Sequence, residues 1–346
     1  MTPTANPRVL YAKIPGDGLP VIGEHIVFDP TPTIDLDLPL NGGYLTKTLL
    51  LSPEPYMRER LRDPSITSYS TPMKVGQPLV ASALVVVLRS EKEGVKPGDH
   101  MFGMTPWEVY TVQPYMDGAF PWTKYCNILG NPGLTAFFTT PYKDVSNLTF
   151  SKGETIYVSS GASGVGSMAI QLCKLKGLRV IASASTDDKV AYMRSLGADV
   201  AFNYKTTSVA QALGTHGPID LYFDNVGGEQ LEAALENMNM NGRVVCCGTI
   251  SEYNTPYKQR HGIKNMGLVF KRRIRLQGFI VMDTPEGAAR FFKEIPPLVA
   301  QGTITGEEHL FHGIESAPRA FLSLFDGTAT AKPVVVVDPD YGPQAL

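Results

Sequence analysis

The sequence predicts an α/β protein in which a doubly wound domain with a parallel sheet is inserted into a β-rich domain built from both chain ends. Three observations lead there. From about residue 151, strand-like and helix-like segments alternate, and such alternation produces a parallel sheet with crossover helices. Before that, short apolar runs are broken by Pro and Gly, the rhythm of a compact, barrel-like β fold. After about residue 300 the chain is mixed again and ends in a buried-type strand at 334–337. The expected boundaries are 1–130 and 301–346 for the β-rich domain and 131–300 for the inserted one.

In the first part the apolar runs are 48–51, 79–88 and 95–103, the last containing the turn Lys96-Pro97-Gly98-Asp99. Residues 155–160 (TIYVSS) form a short β-rich run, followed at once by Gly161-Ala162-Ser163-Gly164-Val165-Gly166. Val165, Met168, Ala169, Leu172 and Leu175 then recur at the spacing of one helix face. Gly177 can close that helix in the left-handed conformation. Residues 179–182 read as a second strand. Asp187 or Asp188 can cap a helix running to about Leu196, with Gly197 ending it. Residues 219–225 form a strand, 228–238 a helix and 243–247 another strand.

Composition narrows the function. With 31 Lys and Arg against 33 Asp and Glu, the net charge of −2 leaves no electrostatic footprint for nucleic acid or an anionic membrane. No stretch approaches the ~20 consecutive apolar residues of a membrane span. The opening residues lack a charged segment followed by an apolar core, so no secretory signal is expected. Four cysteines in 346 residues fit a reducing compartment, the cytoplasm, rather than a disulfide scaffold.

A Gly-rich turn between strand and helix brings backbone N–H groups and a helix N-terminus to a pyrophosphate. Gly161, Gly164 and Gly166 form such a turn, with Ser163 where the second glycine of G-x-G-x-x-G would fall. A strand before it, a helix after it and a second strand beyond make dinucleotide binding the reading of this segment. For NAD, an acid at the end of the second strand would hold the ribose 2′-OH. Here Ser183, Ala184, Ser185 and Thr186 stand there, with no acid until Asp187 and a cation at Lys189. Small hydroxyl residues and a cation suit the 2′-phosphate of NADP, whereas a Lys189 on a solvated helix face would leave the choice open.

The six histidines and four cysteines give no metal pattern. Cys126, Cys173, Cys246 and Cys247 include no C-x-x-C pair. His309 and His312, three apart, could share a helix face but imply no third ligand. There is no G-x-S-x-G nucleophile elbow. A metal-free redox reading leads, because a nicotinamide cofactor carries hydride chemistry itself. The run Lys271-Arg272-Arg273-Ile274-Arg275 reads as a solvated strand or helix end.

Eight short segments in order carry a more specific resemblance: Ser52-Pro53-Glu54-Pro55-Tyr56-Met57-Arg58; Leu129-Gly130-Asn131-Pro132-Gly133-Leu134-Thr135-Ala136; the glycine turn; Phe202-Asn203-Tyr204-Lys205; Asp224-Asn225-Val226-Gly227-Gly228; residues 237–243; Ile250-Ser251-Glu252-Tyr253-Asn254; and Arg273-Ile274-Arg275-Leu276-Gln277-Gly278-Phe279. Over nearly its whole length the chain resembles the zinc-independent medium-chain dehydrogenase/reductases, most closely the alkenal double-bond and prostaglandin reductases. The resemblance implies a Rossmann domain inserted into a GroES-like substrate domain, and a homodimer. It implies NADP(H), and reduction of the C=C bond of an α,β-unsaturated aldehyde or ketone with hydride going to the β carbon. Lys189 and Tyr204, with Ser185 beside them, match the residues around the 2′-phosphate. Gly161, Ala162, Gly164, Val165 and Gly166 match the pyrophosphate turn. Asn225, Phe279, Ile280 and Val281 match residues along the cofactor, and Asn131, Pro132, Gly133 and Thr135 the loop near the nicotinamide.

Tyr253 matches a tyrosine with an active-site role. A neutral phenol there, or the ribose hydroxyl it contacts, can donate to the oxygen of a developing enolate. Solvent or Tyr56 would protonate the α carbon, although Tyr56 can equally be an aromatic wall of the pocket. The chain departs from its relatives at Ser82, where a tyrosine is frequent, at Met282, where some have serine, and at Ala329, which replaces an asparagine. With Tyr56, Ser82 and Met282 lining it, the pocket should prefer a bulky or apolar enone or enal. The glycine turn is nearer the quinone-reductase branch, so a quinone reductase is the second enzyme reading. A cofactor-binding protein without catalysis and a carbonyl-reducing alcohol dehydrogenase are the others.

Overall fold

A computed structural model describes residues 3–113, 126–139, 150–281 and 285–340. The chain forms two compact units, one from Met1–Cys126 with Glu308–Leu346 and the other from Asn127–Glu307.

The first unit opens with two small antiparallel pairs, β1 (Thr4–Ala5) with β4 (Thr33–Ile34), and β2 (Arg8–Tyr11) with β3 (Ile26–Asp29). Its main sheet is laid down by β5 (Tyr44–Leu51), β6 (Val80–Ser90), β7 (His100–Pro106) and β8 (Tyr110–Gln113), with the short α1 (Tyr56–Arg60) between β5 and β6. β5 is buried at seven of its eight positions, and its buried Thr46 and Thr48 hydroxyls are satisfied by the Thr111 and Glu108 carbonyls, as buried polar groups require. At the predicted turn Asp99 N donates to Lys96 O at 3.1 Å and Gly98 has φ +90°. Pro97 and Gly98 are the residue types such a turn demands at its two centres.

The second unit contributes α2 (Asn131–Thr139), β9 (Thr155–Val158), α3 (Gly164–Leu175), β10 (Arg179–Ala184), α4 (Asp187–Ser195) and β11 (Val200–Asn203). It continues with α5 (Val209–His216), β12 (Ile219–Asp224), α6 (Gly228–Glu236), β13 (Met238–Cys246), α7 (Gly267–Lys271), β14 (Arg275–Gly278) and α8 (Pro285–Ala300). All pairings among β9–β14 are parallel, in the order β11-β10-β9-β12-β13-β14. This is the doubly wound dinucleotide-binding order, whose strand sequence reverses between the first and fourth strands, here β9 and β12.

The chain then returns to the first unit with β15 (Glu308–His312), α9 (Ala317–Asp326) and β16 (Lys332–Val336). The sheet order becomes β15-β16-β5-β6-β7, with β8 also on β5. Phe321 of α9 is packed with Tyr11, Tyr44, Met57, Trp107 and Val335 in the core of this unit.

Several local expectations change. Thr186, not an aspartate, caps α4: it is extended (φ −146°) and its side chain accepts from Lys189 N. Asp187 and Asp188 occupy the first turn instead, where negative charge meets the positive helix end. The helix expected over 228–238 ends at Glu236, because Met238 already belongs to β13. His309 and His312 lie on strand β15, not on a helix. Three residues apart, they point to opposite faces of the sheet.

Candidate functional site

In a doubly wound sheet, ligands bind outside the carboxyl ends of the strands, beside the switch point. After β9, Ser160 takes φ +52° and Gly161 N donates to Ser183 O of β10 at 2.9 Å. A Cβ on Gly166 would lie 2.2 Å from Ser160 O, so only glycine lets α3 start this close to the strand end. Ser163 has an extended backbone, φ −72°, and its side chain caps α3 by accepting from Gly166 N. The serine in the motif's second glycine position is therefore a helix cap. The first N–H groups of a helix have no intrahelical acceptor. Those of Gly164 and Val165 are thus donors of the kind a pyrophosphate needs, and the turn fits the expected dinucleotide.

At the end of β10, Tyr204 N donates to Ala184 O at 3.0 Å. That bond brings Tyr204, Ser185 and the first turn of α4, which carries Lys189, to one strand end. Asp187, the acid nearest a ribose-binding position, accepts from Asn203 Nδ2 at 3.0 Å and belongs to the helix turn.

After β12 a buried polar network shapes the loop. The Tyr222 hydroxyl reaches Asp224 Oδ1 at 2.7 Å and Ser159 Oγ at 3.2 Å. Asp224, 1% exposed, also accepts from Val226 N and Gly227 N. Burial raises its carboxyl above the ordinary aspartate range. Ser159 holds Asn225 by both its oxygens, accepting from Asn225 N at 2.9 Å and Nδ2 at 2.7 Å. The Asp224 carbonyl accepts from Cys247 N and Gly248 N, and Asn225 O from Ile250 N. The segment leading to Tyr253 is thereby tied to the Asn225 loop. Gly248 leaves space for the phenol, since a Cβ there would be 3.2 Å from the Tyr253 hydroxyl and 3.5 Å from Asn225 O.

Phe279, Ile280 and Val281 follow β14 and are half-buried. Asn131, Pro132, Gly133 and Thr135 begin α2, which packs on α3. Gly133 is required because a Cβ would fall 1.7 Å from Ile128 O. The second unit thus gathers the glycine turn, the Ser185/Lys189/Tyr204 group, Asn225, Tyr253 and residues 279–281 along the carboxyl ends of one parallel sheet.

Tyr56 and Ser82 lie in the first unit. The Tyr56 hydroxyl donates to Met104 Sδ at 3.5 Å, and Ser82 Oγ lies 3.9 Å from the same sulfur. Burial, helped by the Glu54 charge, pushes the Tyr56 phenol up to about 12. Ala329 is buried in the same unit, and Met282 lies outside the described residues. Met104, Ser159 and Tyr222 are not marked by motif spacing. The one hint is a polar-tipped aromatic, Tyr222, in a strand buried at five of its six positions. Among the described residues no three His, Cys, Asp or Glu side chains group as a metal would require, and no helix is long and apolar enough to cross a membrane.

Two family models match, "Zinc-binding dehydrogenase" over residues 164–296 and "N-terminal domain of oxidoreductase" over residues 32–119. The chain is 36% identical to a zinc-type alcohol dehydrogenase-like protein of Schizosaccharomyces pombe, over 92% of this chain and 94% of that one. It is 37% identical to a 2-alkenal reductase (NADP(+)-dependent) of Nicotiana tabacum, over 88% and 90% of the two chains. The crystal structure of CurA from Vibrio vulnificus in complex with NADPH superimposes with a TM-score of 0.86 at 29% identity, covering 96% and 99%. With a doubly wound unit and a separate β-sheet unit in the order these relatives share, the chain belongs to the medium-chain dehydrogenase/reductase family, in its alkenal reductase branch.

Proposed function

We propose that this NADPH-dependent oxidoreductase reduces the carbon–carbon double bond of α,β-unsaturated aldehydes or ketones and leaves the carbonyl intact. The observation that carries the reading is the joining of Tyr253 to the Asn225 loop across Gly248, at the same sheet edge as the glycine turn. Bound NADPH supplies a hydride for the β carbon. The chain's own groups do the rest. Gly164 and Val165 N–H groups hold the pyrophosphate, and Lys189, Tyr204 and Ser185 hold the 2′-phosphate. Asn225, the 131–135 segment and residues 279–281 orient the nicotinamide end. The Tyr253 hydroxyl donates to the carbonyl oxygen as negative charge gathers there, directly or through the ribose hydroxyl. Solvent supplies the proton for the α carbon, and Tyr56 is the candidate substrate-side donor of the first unit. The less polar surroundings of Ser82 and Met104 favour a bulky or apolar enone or enal.

Product mass decides the reaction. Incubation with NADPH and trans-2-hexenal, 2-nonenal or a cyclic enone is expected to give the saturated carbonyl compound. An allylic alcohol, or hydroquinone formation from a quinone with every enone untouched, overturns the proposal. Lys189→Ala is expected to raise the KM for NADPH about tenfold and leave that for NADH unchanged, since a charge-assisted hydrogen bond is worth about 1.5–3 kcal/mol and this one is partly solvated.

An enal is itself a thiol-reactive electrophile, and the cysteines are suited to survive it. Cys126 and Cys173 are fully buried. Burial pushes the thiols of Cys126 and Cys247 up to about 12 and that of Cys246 up to about 11. The thiolate is the reactive form. A disulfide reagent at pH 8 should therefore label the native protein slowly and all four free cysteines once guanidinium unfolds it. Rapid native labelling would contradict this.

The homodimer implied by the resemblance is part of the same proposal. β14 ends the parallel sheet with its outer edge unpaired among the described residues, and Phe270, five residues before it, is 74% exposed. An open edge with an exposed aromatic is a pairing surface. Light scattering should return twice the chain mass. The reducing environment that free cysteines favour supports a cytoplasmic location.

A further inference from the structure

Met104 stands opposite Ser82 in the β6–β7 register. At 44% exposure it is among the more exposed large apolar side chains, yet its sulfur meets the Tyr56 hydroxyl at 3.5 Å and the Ser82 hydroxyl at 3.9 Å. Residues from α1, β6 and β7 thus converge on one thioether. A thioether is a weak acceptor. Among the described residues the carboxylate that acts on Tyr56, Glu54, is engaged elsewhere: it accepts from Ser52 Oγ at 2.9 Å and pairs with Lys332 at 3.3 Å, all three being buried. The Ser82 hydroxyl also hydrogen-bonds the phenol; with Ser82 as the donor of that pair, the phenol proton rests on the thioether.

We propose that Met104 is a specificity-determining residue for the carbonyl end of the substrate: its sulfur is a placeholder acceptor that orients the Tyr56 hydroxyl and yields it to an incoming substrate oxygen. The inference rests on the reading of Tyr56 as a substrate-side residue. Giving up a bond to sulfur costs less than giving up one to an amide or carboxylate oxygen, so a carbonyl oxygen displaces it readily. The flexible, polarizable side chain can then turn its methyl end to an apolar part of the substrate. An acceptor of ordinary strength at this position would compete with the carbonyl for the same proton.

The test compares Met104→Gln, Met104→Leu and Tyr56→Phe with the unsubstituted enzyme, using NADPH and trans-2-hexenal. Met104→Gln supplies an amide oxygen with similar reach. It is expected to raise the KM for hexenal about fivefold to tenfold, the worth of one neutral hydrogen bond, with kcat and the KM for NADPH within about twofold. Met104→Leu removes the sulfur and adds no acceptor, so its KM for hexenal is expected to fall about twofold because the freed donor awaits the substrate. Opposite signs distinguish this from a packing role, in which both substitutions would act alike. The proposal is overturned if leucine raises KM as glutamine does, or if glutamine leaves it within twofold. Should Tyr56→Phe leave hexenal kinetics unchanged, the substrate-side reading of Tyr56 falls, and the placeholder role with it. Should Tyr56→Phe impair turnover while Met104→Gln does not, only the placeholder role falls.

Discussion

Gly166→Ala is expected to destabilise the protein by about 3 kcal/mol and to weaken NADPH binding at least tenfold. The new Cβ would lie 2.2 Å from Ser160 O and 2.8 Å from Gly161 Cα. Both neighbours are backbone, so no rotamer change relieves the overlap. Ser160 already sits at φ +52°, which leaves its peptide little room to rotate. The helix start must move instead, and with it the N–H groups of Gly164 and Val165. Overpacking a tight site costs about 1–3 kcal/mol, more where the backbone must shift. A thermal melt and a fluorescence titration with NADPH would check both effects. Gly98→Ala is the control. Gly98 has φ +90° but a Cβ there meets nothing within 4 Å, so it should cost about 1 kcal/mol and leave NADPH affinity unchanged. Gly166 itself is not at positive φ, so equal effects of the two substitutions would show that the close approach to Ser160 O is not what Gly166 protects.

That contrast also separates what could be read in the residues from what could not. Within the alternation from β9 to β13, β9, β10, β12 and the end of β13 were legible as strands from their apolar and β-branched runs, and α3, α4 and α6 as helices from their apolar spacing and caps, whereas the four-residue β11 and the helix α5 were not. The glycine turn was legible because close approach of backbone to backbone leaves glycine as the one residue that fits. The C-terminal helix α9 was not, since its residues 317–326 lie in a short stretch between two strands where the apolar spacing is easily taken for mixed structure. The cap of α4 was misplaced because Thr186, Asp187 and Asp188 are all cap-forming types, and only the extended backbone of Thr186 decides among them. His309 and His312 were open to a helix reading because a three-residue spacing carries no information until the element type is known. The Tyr222–Asp224–Ser159 network and the meeting of Tyr56 with Met104 join residues 65 and 48 positions apart at their extremes. Such pairs follow from strand order and register, which local spacing does not contain.

Tyr253→Phe should lower kcat for enal reduction about 100-fold, the usual cost of removing one donor aimed at a developing oxyanion, while changing the dissociation constant of NADPH less than threefold. The split matters. A phenol that merely packed over Gly248 would be replaced by phenylalanine at almost no cost, because the ring contacts survive and only the hydroxyl is lost. A phenol that contributed equally to ground and transition states would raise KM and leave kcat alone. Loss of kcat with retained cofactor affinity is the signature of a donor whose bond strengthens as charge reaches the carbonyl oxygen. The loop makes this role physically reasonable: Cys247 N, Gly248 N and Ile250 N are all bonded back to Asp224 and Asn225, so the phenol is carried on a segment tied to the end of β12. A donor held this way need not reorganise when charge appears, which is where such a group acts most strongly. Stopped-flow measurement of NADPH oxidation with trans-2-hexenal would report the chemical step separately from product release. An unchanged rate in that experiment would remove Tyr253 from the mechanism.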